Sequence, residues 1–257
     1  MKSFNKILST VMAVALGMVS LTGCGSEKAE NKEPSVTIKP GTLTVGVSPD
    51  YPPYEKYDVN GNIVGYDIDM AKELGKNMGM EVEFKAMDFE NIIVSLQAGQ
   101  IDVGISAFTY DAERDVLFSD TYLTSQQLIV VSNDSDYKTI EDLTGKKIGA
   151  GSETTGAKAA EANIKDAKVT SPGDYTVMFE ALKNGALDAV VCDGEVAKNY
   201  AKNGNYRIFD EALVKEENKA IIKNGNDELL KAVNSAINKY SNSDVQNKLK
   251  EKWEIQG

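Results

Sequence analysis

The sequence predicts an α/β protein of two similar lobes, each a mostly parallel sheet flanked by helices. Two observations lead there. Strand-like apolar runs alternate with segments of helical periodicity from Leu43 to Trp253, the pattern of parallel-rich sheets covered by helices. A helix–glycine–strand unit also occurs twice, 86 residues apart. A chain of 257 residues is long enough to give two modest lobes proper cores.

The first residues stand outside the alternation. Lys2 and Lys6 precede an uncharged, largely apolar run from Ile7 to Leu21. At about 15 residues it is short for a membrane span, which needs roughly 20, and it reads as the apolar region of a signal peptide. It ends in Leu21-Thr22-Gly23-Cys24, which resembles the bacterial lipobox. That resemblance implies cleavage of residues 1–23, acylation of the Cys24 sulfur and attachment to the outer face of the cell membrane. Residues 24–40 are polar and charged, as expected of a flexible tether.

The folded elements follow. Leu43–Val47 reads as a strand. Asp67–Met78 reads as a helix with an apolar stripe of Ile68, Met70, Ala71, Leu74 and Met78, ended by Gly79. Val82–Met87 is a strand. The first repeat unit spans residues 88–106 and the second 174–192; Asp88 matches Asp174, Phe89 matches Tyr175, Gly99 matches Gly185 and Asp102 matches Asp188. In each, an acidic residue caps a helix, glycine ends it, and a short buried strand follows. Leu128–Ser132 and Lys147–Ala150 read as strands, Thr155–Asn163 as a helix, Ala220–Ile222 as a strand, and Asp227–Trp253 as one or two helices. Ligands of such sheets bind beyond the carboxyl ends of strands. The loops after Val47, Ile105, Ala150 and Cys192 are therefore where chemistry is expected.

Composition narrows the chemistry. A formal charge of -11 leaves no electrostatic footprint for nucleic acid. The chain has no histidine, the commonest general base and metal ligand, and neither a metal nor another cofactor is expected. Cys24 and Cys192 sit in different contexts, so no disulfide is expected; Cys192 falls on a buried strand and reads as a small apolar residue. Arg114 and Arg207 are the two arginines of the chain. Arg114 follows the first repeat strand, and its planar fork suits a carboxylate; by spacing alone it could equally pair with Asp111, Glu113 or Asp115. Asp193 follows the second repeat strand, where it could accept an ammonium or cap the helix predicted over Glu195–Asn203.

Four segments together resemble the amino-acid-binding solute receptors of ABC importers, solute-binding protein family 3. They are Tyr51-Pro52-Pro53-Tyr54-Glu55 with Gly65-Tyr66-Asp67-Ile68-Asp69; Met87-Asp88-Phe89 with the run from Leu96 to Asp102; Thr109–Arg114 with Phe118-Ser119-Asp120; and Leu187–Asp193. The resemblance covers roughly Leu43 to Trp253 and implies the type II periplasmic binding fold. It also implies a free amino acid as ligand, importer membrane subunits as partners, and a monomer. A zwitterion buried between lobes needs a cation and an anion, both hydrogen-bonded. The resemblance assigns Arg114 to the carboxylate and Asp193 to the ammonium. It places Ser106, Ala107 and Thr109 around the head group, Thr155 or Thr154 at a helix N-terminus that completes the carboxylate cradle, and Tyr51, Tyr54 and Phe89 as side-chain walls. For Tyr54 and Phe89 simple core packing is the alternative.

The lobes implied are residues 41–127 with 218–257, and 128–217, with hinge crossings near Gln126–Val130 and Glu216–Ile221. No catalytic residue is assigned. An enzyme on the same fold, with Glu55 or Glu153 as its acid, or a receptor that signals ligand to a partner, remain alternatives. Some family members for basic amino acids carry an acid three residues before the first pocket tyrosine. Here that position is Ser48, which turns the expectation toward a polar neutral ligand such as glutamine or cystine; arginine, lysine or ornithine stay open, because Asp50, Asp88 and Glu153 could lie near.

Overall fold

The computed structural model describes residues 36–256; the expected signal peptide and lipidated Cys24 lie outside them. The chain opens with β1 (Thr42–Val47), short strands β2 (Asp50–Tyr51), β3 (Glu55–Tyr57) and β4 (Ile63–Val64), then α1 (Tyr66–Met78), β5 (Glu81–Ala86), α2 (Phe89–Gln97) and β6 (Val103–Gly104). A long strand β7 (Leu117–Ser132) leads to β8 (Lys147–Gly149), α3 (Thr155–Asn163), β9 (Lys168–Thr170), α4 (Tyr175–Lys183), β10 (Ala189–Asp193) and α5 (Gly194–Ala201). β11 (Tyr206–Ile208), a second long strand β12 (Val214–Ile222), α6 (Asp227–Ser241) and α7 (Asp244–Trp253) complete it.

The strands β5-β1-β6-β12-β7-β10-β8-β9 form one sheet in that order, with β11 beside β7. β5, β1 and β6 run parallel, as do β10, β8 and β9. Between these two parallel wings, β7 and β12 pair antiparallel from Val214↔Gln127 to Ile222↔Leu117. Every residue of β1 and β10 is buried, because helices cover both faces of a parallel wing.

The matched units fold alike. Gly99 and Gly185 have φ of 67° and 73°, the left-handed conformation that ends a helix at little cost for glycine. Asp102 accepts hydrogen bonds from the backbone N–H of Thr44 (2.8 Å) and Ile38 (2.7 Å), and Asp188 from that of Lys147 (2.9 Å) and the Tyr137 hydroxyl (2.7 Å). Each repeat aspartate thus ties down the neighbouring parallel strand of its own wing. The caps differ: Asp174 accepts from Val177 N–H, whereas Asp88 at the equivalent place makes no side-chain cap bond.

Three expectations need correction. The strands expected from Leu128 and from Ala220 begin earlier, at Leu117 and Val214. The polar residues ahead of each apolar run, such as Thr124, Ser125, Lys215 and Glu217, pair with one another in the two-stranded ribbon and hide its length. The tether expected to reach residue 40 is already docked by Val36: Asn226 Nδ2 donates to the Val36 carbonyl at 3.0 Å, and Asp102 holds Ile38. Tyr54, expected on a pocket wall, is wholly buried in the core behind Tyr51, its ring centroid 5.8 Å away.

Candidate ligand site

A cavity of about 710 Å³ lies at the carboxyl ends of β1, β6, β8 and β10, within the range of small-molecule sites. All four loops singled out in the sequence supply lining, through Ser48 to Tyr51; Ser106, Ala107 and Thr109; Gly151, Ser152 and Thr154 to Gly156; and Asp193. The repeat supplies more of it, through Asp88 and Phe89 at the start of α2 and Asp174 and Tyr175 at the start of α4.

Arg114 stands on the wall next to the Ser106–Thr109 loop. Its side chain is 8% exposed, and its guanidinium lies 5.5 Å from the Phe89 ring centroid and 5.2 Å from that of Phe108. The stacked rings, 4.5 Å apart, present π-faces that attract a cation. Nη2 donates to the Glu153 carbonyl at 2.7 Å, and Nε lies 3.8 Å from Asp111 Oδ2. Nη1 is buried without a hydrogen-bond partner. Burial lowers the guanidinium pKa, against the raising effect of Asp111, Glu216 and Glu153. A buried cation with an unused donor is a ready carboxylate site.

Asp193 ends β10, in the other parallel wing, and is 2% exposed. It does not cap α5 with its side chain, so the capping alternative falls away. Its carboxylate accepts from Ser125 Oγ (2.8 Å) and Gln127 Nε2, while its backbone N–H donates to Tyr51 Oη at 2.8 Å. Burial, and next the charge of Glu216, push the Asp193 carboxyl up to about 7, with the bond from Ser125 pulling the other way. A ligand cation beside it would favour the ionised form.

The head-group candidates differ in what they have free. Thr109 Oγ1 donates to Glu216 Oε2 at 3.2 Å. Ala107 sits at φ 47°, a left-handed conformation that costs a non-glycine residue about 1–3 kcal/mol. It is held there by its N–H donating to Asp67 Oδ2 at 2.9 Å. Ser106 Oγ donates to Glu55 Oε1 at 2.6 Å and accepts from Ser48 N–H at 3.3 Å, so its proton is already committed. Thr154 is the side-chain cap of α3, accepting from Ala157 N–H at 3.2 Å and donating to the Gly151 carbonyl at 2.8 Å. Thr155 and Gly156, the first residues of that helix, line the cavity without such ties among the described residues. Tyr51 and Phe89 are walls as expected, and Tyr175 packs 4.6 Å from Tyr51.

Neither carboxylate considered as a catalytic acid faces the cavity. Glu55 is wholly buried behind Ser106, beside the equally buried Asp67. Burial first and mutual proximity second hold Glu55 well above the usual carboxylate range, and burial raises Asp67 as well. Glu153 contributes its carbonyl to Arg114 and has φ 58°.

Sequence reasoning missed Gln127 and Tyr175. Gln127 is 3% exposed on β7; its Nε2 donates to Asp193 and to Glu216 Oε2 (2.8 Å), and its Oε1 is buried without a partner. The signal was a glutamine at the head of a buried apolar run. Tyr175 was visible as the repeat partner of Phe89.

Comparison with known proteins agrees with this geometry. A family model described as bacterial extracellular solute-binding proteins, family 3, matches residues 43–256. The chain is 33% identical to the L-cystine-binding protein TcyJ of Escherichia coli K12 over 96% of its own length and 94% of that protein's. It is 32% identical to the arginine-binding extracellular protein ArtP of Bacillus subtilis, with 91% and 92% covered. Among solved structures, the substrate-binding protein of an amino acid ABC transporter superposes with a TM-score of 0.78 at 38% identity, covering 84% of this chain and all of that one.

Proposed function

Because the chain belongs to the bacterial extracellular solute-binding proteins of family 3, we propose that it captures a free α-amino acid in this cavity and delivers it to the membrane subunits of an ABC importer. One observation carries the reading: a buried guanidinium with an unpartnered Nη1 and a buried carboxylate both line one cavity. Those are the two charges a zwitterionic head group requires. Arg114 takes the carboxylate, helped by Thr109 and by the N-terminal N–H groups of α3 at Thr155. Asp193 takes the ammonium, with the Ala107 carbonyl beside it. Ser106, its hydroxyl proton given to Glu55, can only accept from the ligand. Thr154 acts through the helix it caps, and Tyr51 and Phe89 flank the side chain. Named relatives bind cystine or arginine; both ligands carry the same head group, and the side-chain end differs.

The lobes proposed are residues 41–127 with 218–257, and 128–217, joined through β7 and β12. Arg114 and Lys158 support this reading, since they link segments far apart in sequence across the cavity. Arg114 reaches Glu153, and Lys158 on α3 pairs with Asp111 at 2.7 Å and with Glu113. A ligand held by both walls favours the closed arrangement through its differential affinity, and that arrangement is what the importer would read. The protein binds and releases without turnover. It is tethered outside the cell through acylated Cys24, which lies before the described residues; among those, no helix is long and apolar enough to cross a membrane.

The test is a thermal-shift screen of ligand-stripped protein against the common amino acids, cystine and ornithine. A ligand at about 100 times its Kd stabilises by about 2.7 kcal/mol. One or a few hits, lost in Arg114→Ala and Asp193→Ala, support the proposal; no hit with folded protein overturns it. Metabolic labelling with a fatty acid should mark the wild-type protein and not Cys24→Ala; a wild type that takes up no label, or a variant labelled equally, would refute the anchor.

A further inference from the structure

Two wholly buried carboxyls, Glu55 and Asp67, stand behind the Ser106–Ala107 loop and do not face the cavity. Glu55 opens β3 and Asp67 is the second residue of α1. A close backbone approach joins them: Asp67 N–H donates to the Tyr54 carbonyl at 3.0 Å, and a Cβ on Gly65 would meet the Glu55 Cα at 2.7 Å. Their side chains lie within hydrogen-bonding reach of each other. Each has one oxygen committed to its surroundings. Glu55 Oε1 accepts from Ser106 Oγ at 2.6 Å, and Asp67 Oδ2 accepts from Ala107 N–H and Tyr122 Oη, both at 2.9 Å. The remaining oxygens, Glu55 Oε2 and Asp67 Oδ1, are buried with no other partner.

One proton fits between those two oxygens, where none or two do not. With none, two carboxylates meet away from water, all their hydrogen-bond partners being neutral, and repel. With two, hydrogen points at hydrogen and neither finds an acceptor. With one, the protonated oxygen donates to the bare one and every oxygen of the pair is satisfied. We propose that Glu55 and Asp67 hold a single shared proton between Glu55 Oε2 and Asp67 Oδ1, and that the pair so formed is the positioning unit for Ser106 and Ala107 of the ligand site. Ala107 stands at φ 47°, a conformation that persists in a non-glycine residue only where its surroundings over-determine it, and Asp67 anchors its N–H. Glu55 turns the Ser106 hydroxyl the same way. Losing the proton would drive the carboxyls apart and loosen both anchors. The surroundings favour keeping it. Burial first, then Asp67, with Asp50 of β2 and Asp193 of β10 adding, raises Glu55 against the bond from Ser106. Tyr54, Tyr66, Tyr122 and Tyr240, phenols that burial keeps protonated, are the other titratable groups about the pair.

Glu55→Gln and Asp67→Asn test this, because each puts an amide N–H where the shared proton stood and keeps a carbonyl oxygen for the outer partners. Either alone should preserve the fold and remove the titration, since the carboxylate left behind gains a hydrogen bond and stays ionised. Both together set two amide N–H groups against each other. Chemical denaturation of ligand-free protein across pH reads the proton. Above the ordinary glutamate value of 4.5, the native wild type holds one proton more than the unfolded chain, so its stability falls as pH rises toward the raised pKa of the pair. Relative to either single variant it should lose up to about tenfold in its folding constant per pH unit there; Asp193 titrates alike in all three and cancels. Infrared spectroscopy in an Asp193→Asn background should show a protonated buried carboxyl at neutral pH that each single substitution removes. Parallel pH curves, or absence of that band, overturn the shared proton. Hydrogen exchange reads the positioning: Ala107 N–H should stay protected in each single variant and lose about tenfold or more of its protection in the double variant, and equal protection overturns that role. Should the double variant fail to fold, Ala107 protection should drop at rising pH in the wild type and not in Glu55→Gln, and matching curves overturn it. Only the consequence for binding rests on the amino-acid reading. Of L-arginine, L-glutamine and cystine, any that binds the wild type should bind the single variants within about threefold and the folded double variant about tenfold or more weakly. Unchanged affinity in the double variant overturns the link to binding, whereas binding of none of the three overturns the amino-acid reading alone.

Discussion

Replacing Arg114 by alanine isolates the carboxylate half of the site. In the ligand-free protein its guanidinium has one good hydrogen bond, to the Glu153 carbonyl at 2.7 Å, a distant ion pair with Asp111 at 3.8 Å, and two aromatic faces. Nη1 has no partner. A ligand carboxylate adds the missing charge-assisted bond and neutralises a cation that is 8% exposed. Truncating one member of such a buried pair costs about 2–5 kcal/mol, or roughly 30- to several-thousand-fold in Kd. Lysine keeps a charge but loses the fork and the planar contact with the Phe89–Phe108 pair, so Arg114→Lys should recover only part of the loss. Ligand-free stability should change little, because removing one hydrogen bond and removing a desolvated charge oppose each other. Calorimetry gives the affinity, and thermal unfolding without ligand controls for damage to the fold. A fall of less than about threefold in affinity, with the ligand itself unchanged, would refute the carboxylate assignment.

Further predictions follow from the same geometry. Asp193 is held near 7 in the ligand-free protein, against an ordinary 3.8, and must be ionised to hold an ammonium. Affinity should therefore be flat above about pH 7.5 and fall toward about tenfold per unit below pH 7, with protons released on binding near neutrality; calorimetry in buffers of different ionisation enthalpy reads both, and a pH-independent affinity would exclude Asp193 as the ammonium partner. Because native Asp193 holds its proton more tightly than the unfolded chain, its contribution lowers ligand-free stability as pH rises from 3.8 toward 7, and Asp193→Asn should abolish that part of the decline in Tm. Gly65→Ala should cost about 2–4 kcal/mol, since Gly65 has φ 153° and a Cβ there would meet the Tyr54 carbonyl oxygen at 1.9 Å; a Tm within about 2 °C of wild type would contradict the backbone placement. Cys192 is wholly buried, with burial and next Asp193 raising its thiol well above the usual value. In a Cys24→Ser background it should react with a maleimide only as fast as the protein unfolds, and fast labelling of native protein would show an accessible thiol.

How much of the site was legible depended on whether a residue's position in its element fixed its surroundings. Arg114 and Asp193 stood out because each follows a buried strand of an α/β sheet, but strand position left Arg114 free to pair with Asp111, Glu113 or Asp115 and Asp193 free to cap a helix, and their roles came from the resemblance of the surrounding segments. Tyr54 could not be told from Tyr51: both are aromatic and three residues apart, yet one ring lines the cavity and the other backs it in the core. Gln127 was overlooked because an isolated glutamine carries no periodic signal, although its amide links Asp193 to Glu216.

By itself, the sequence determined the class of the protein. Alternating periodicities, a helix–glycine–strand unit used twice and four ordered segments dictate two parallel wings and the loops between which a ligand would lie, because those features act locally through helix caps, left-handed glycines and continuous apolar strands. The tertiary structure alone decided what those loops enclose. It joined the wings through a ribbon of β7 and β12 whose polar residues hid its length. It left Arg114 with an unused buried donor, and it brought Asp50 together with Asp88 and Asp174 in one cavity. Groups dozens of residues apart become neighbours only when the sheet is assembled, and Coulomb interactions depend on that separation in space and on burial, neither of which is written along the chain.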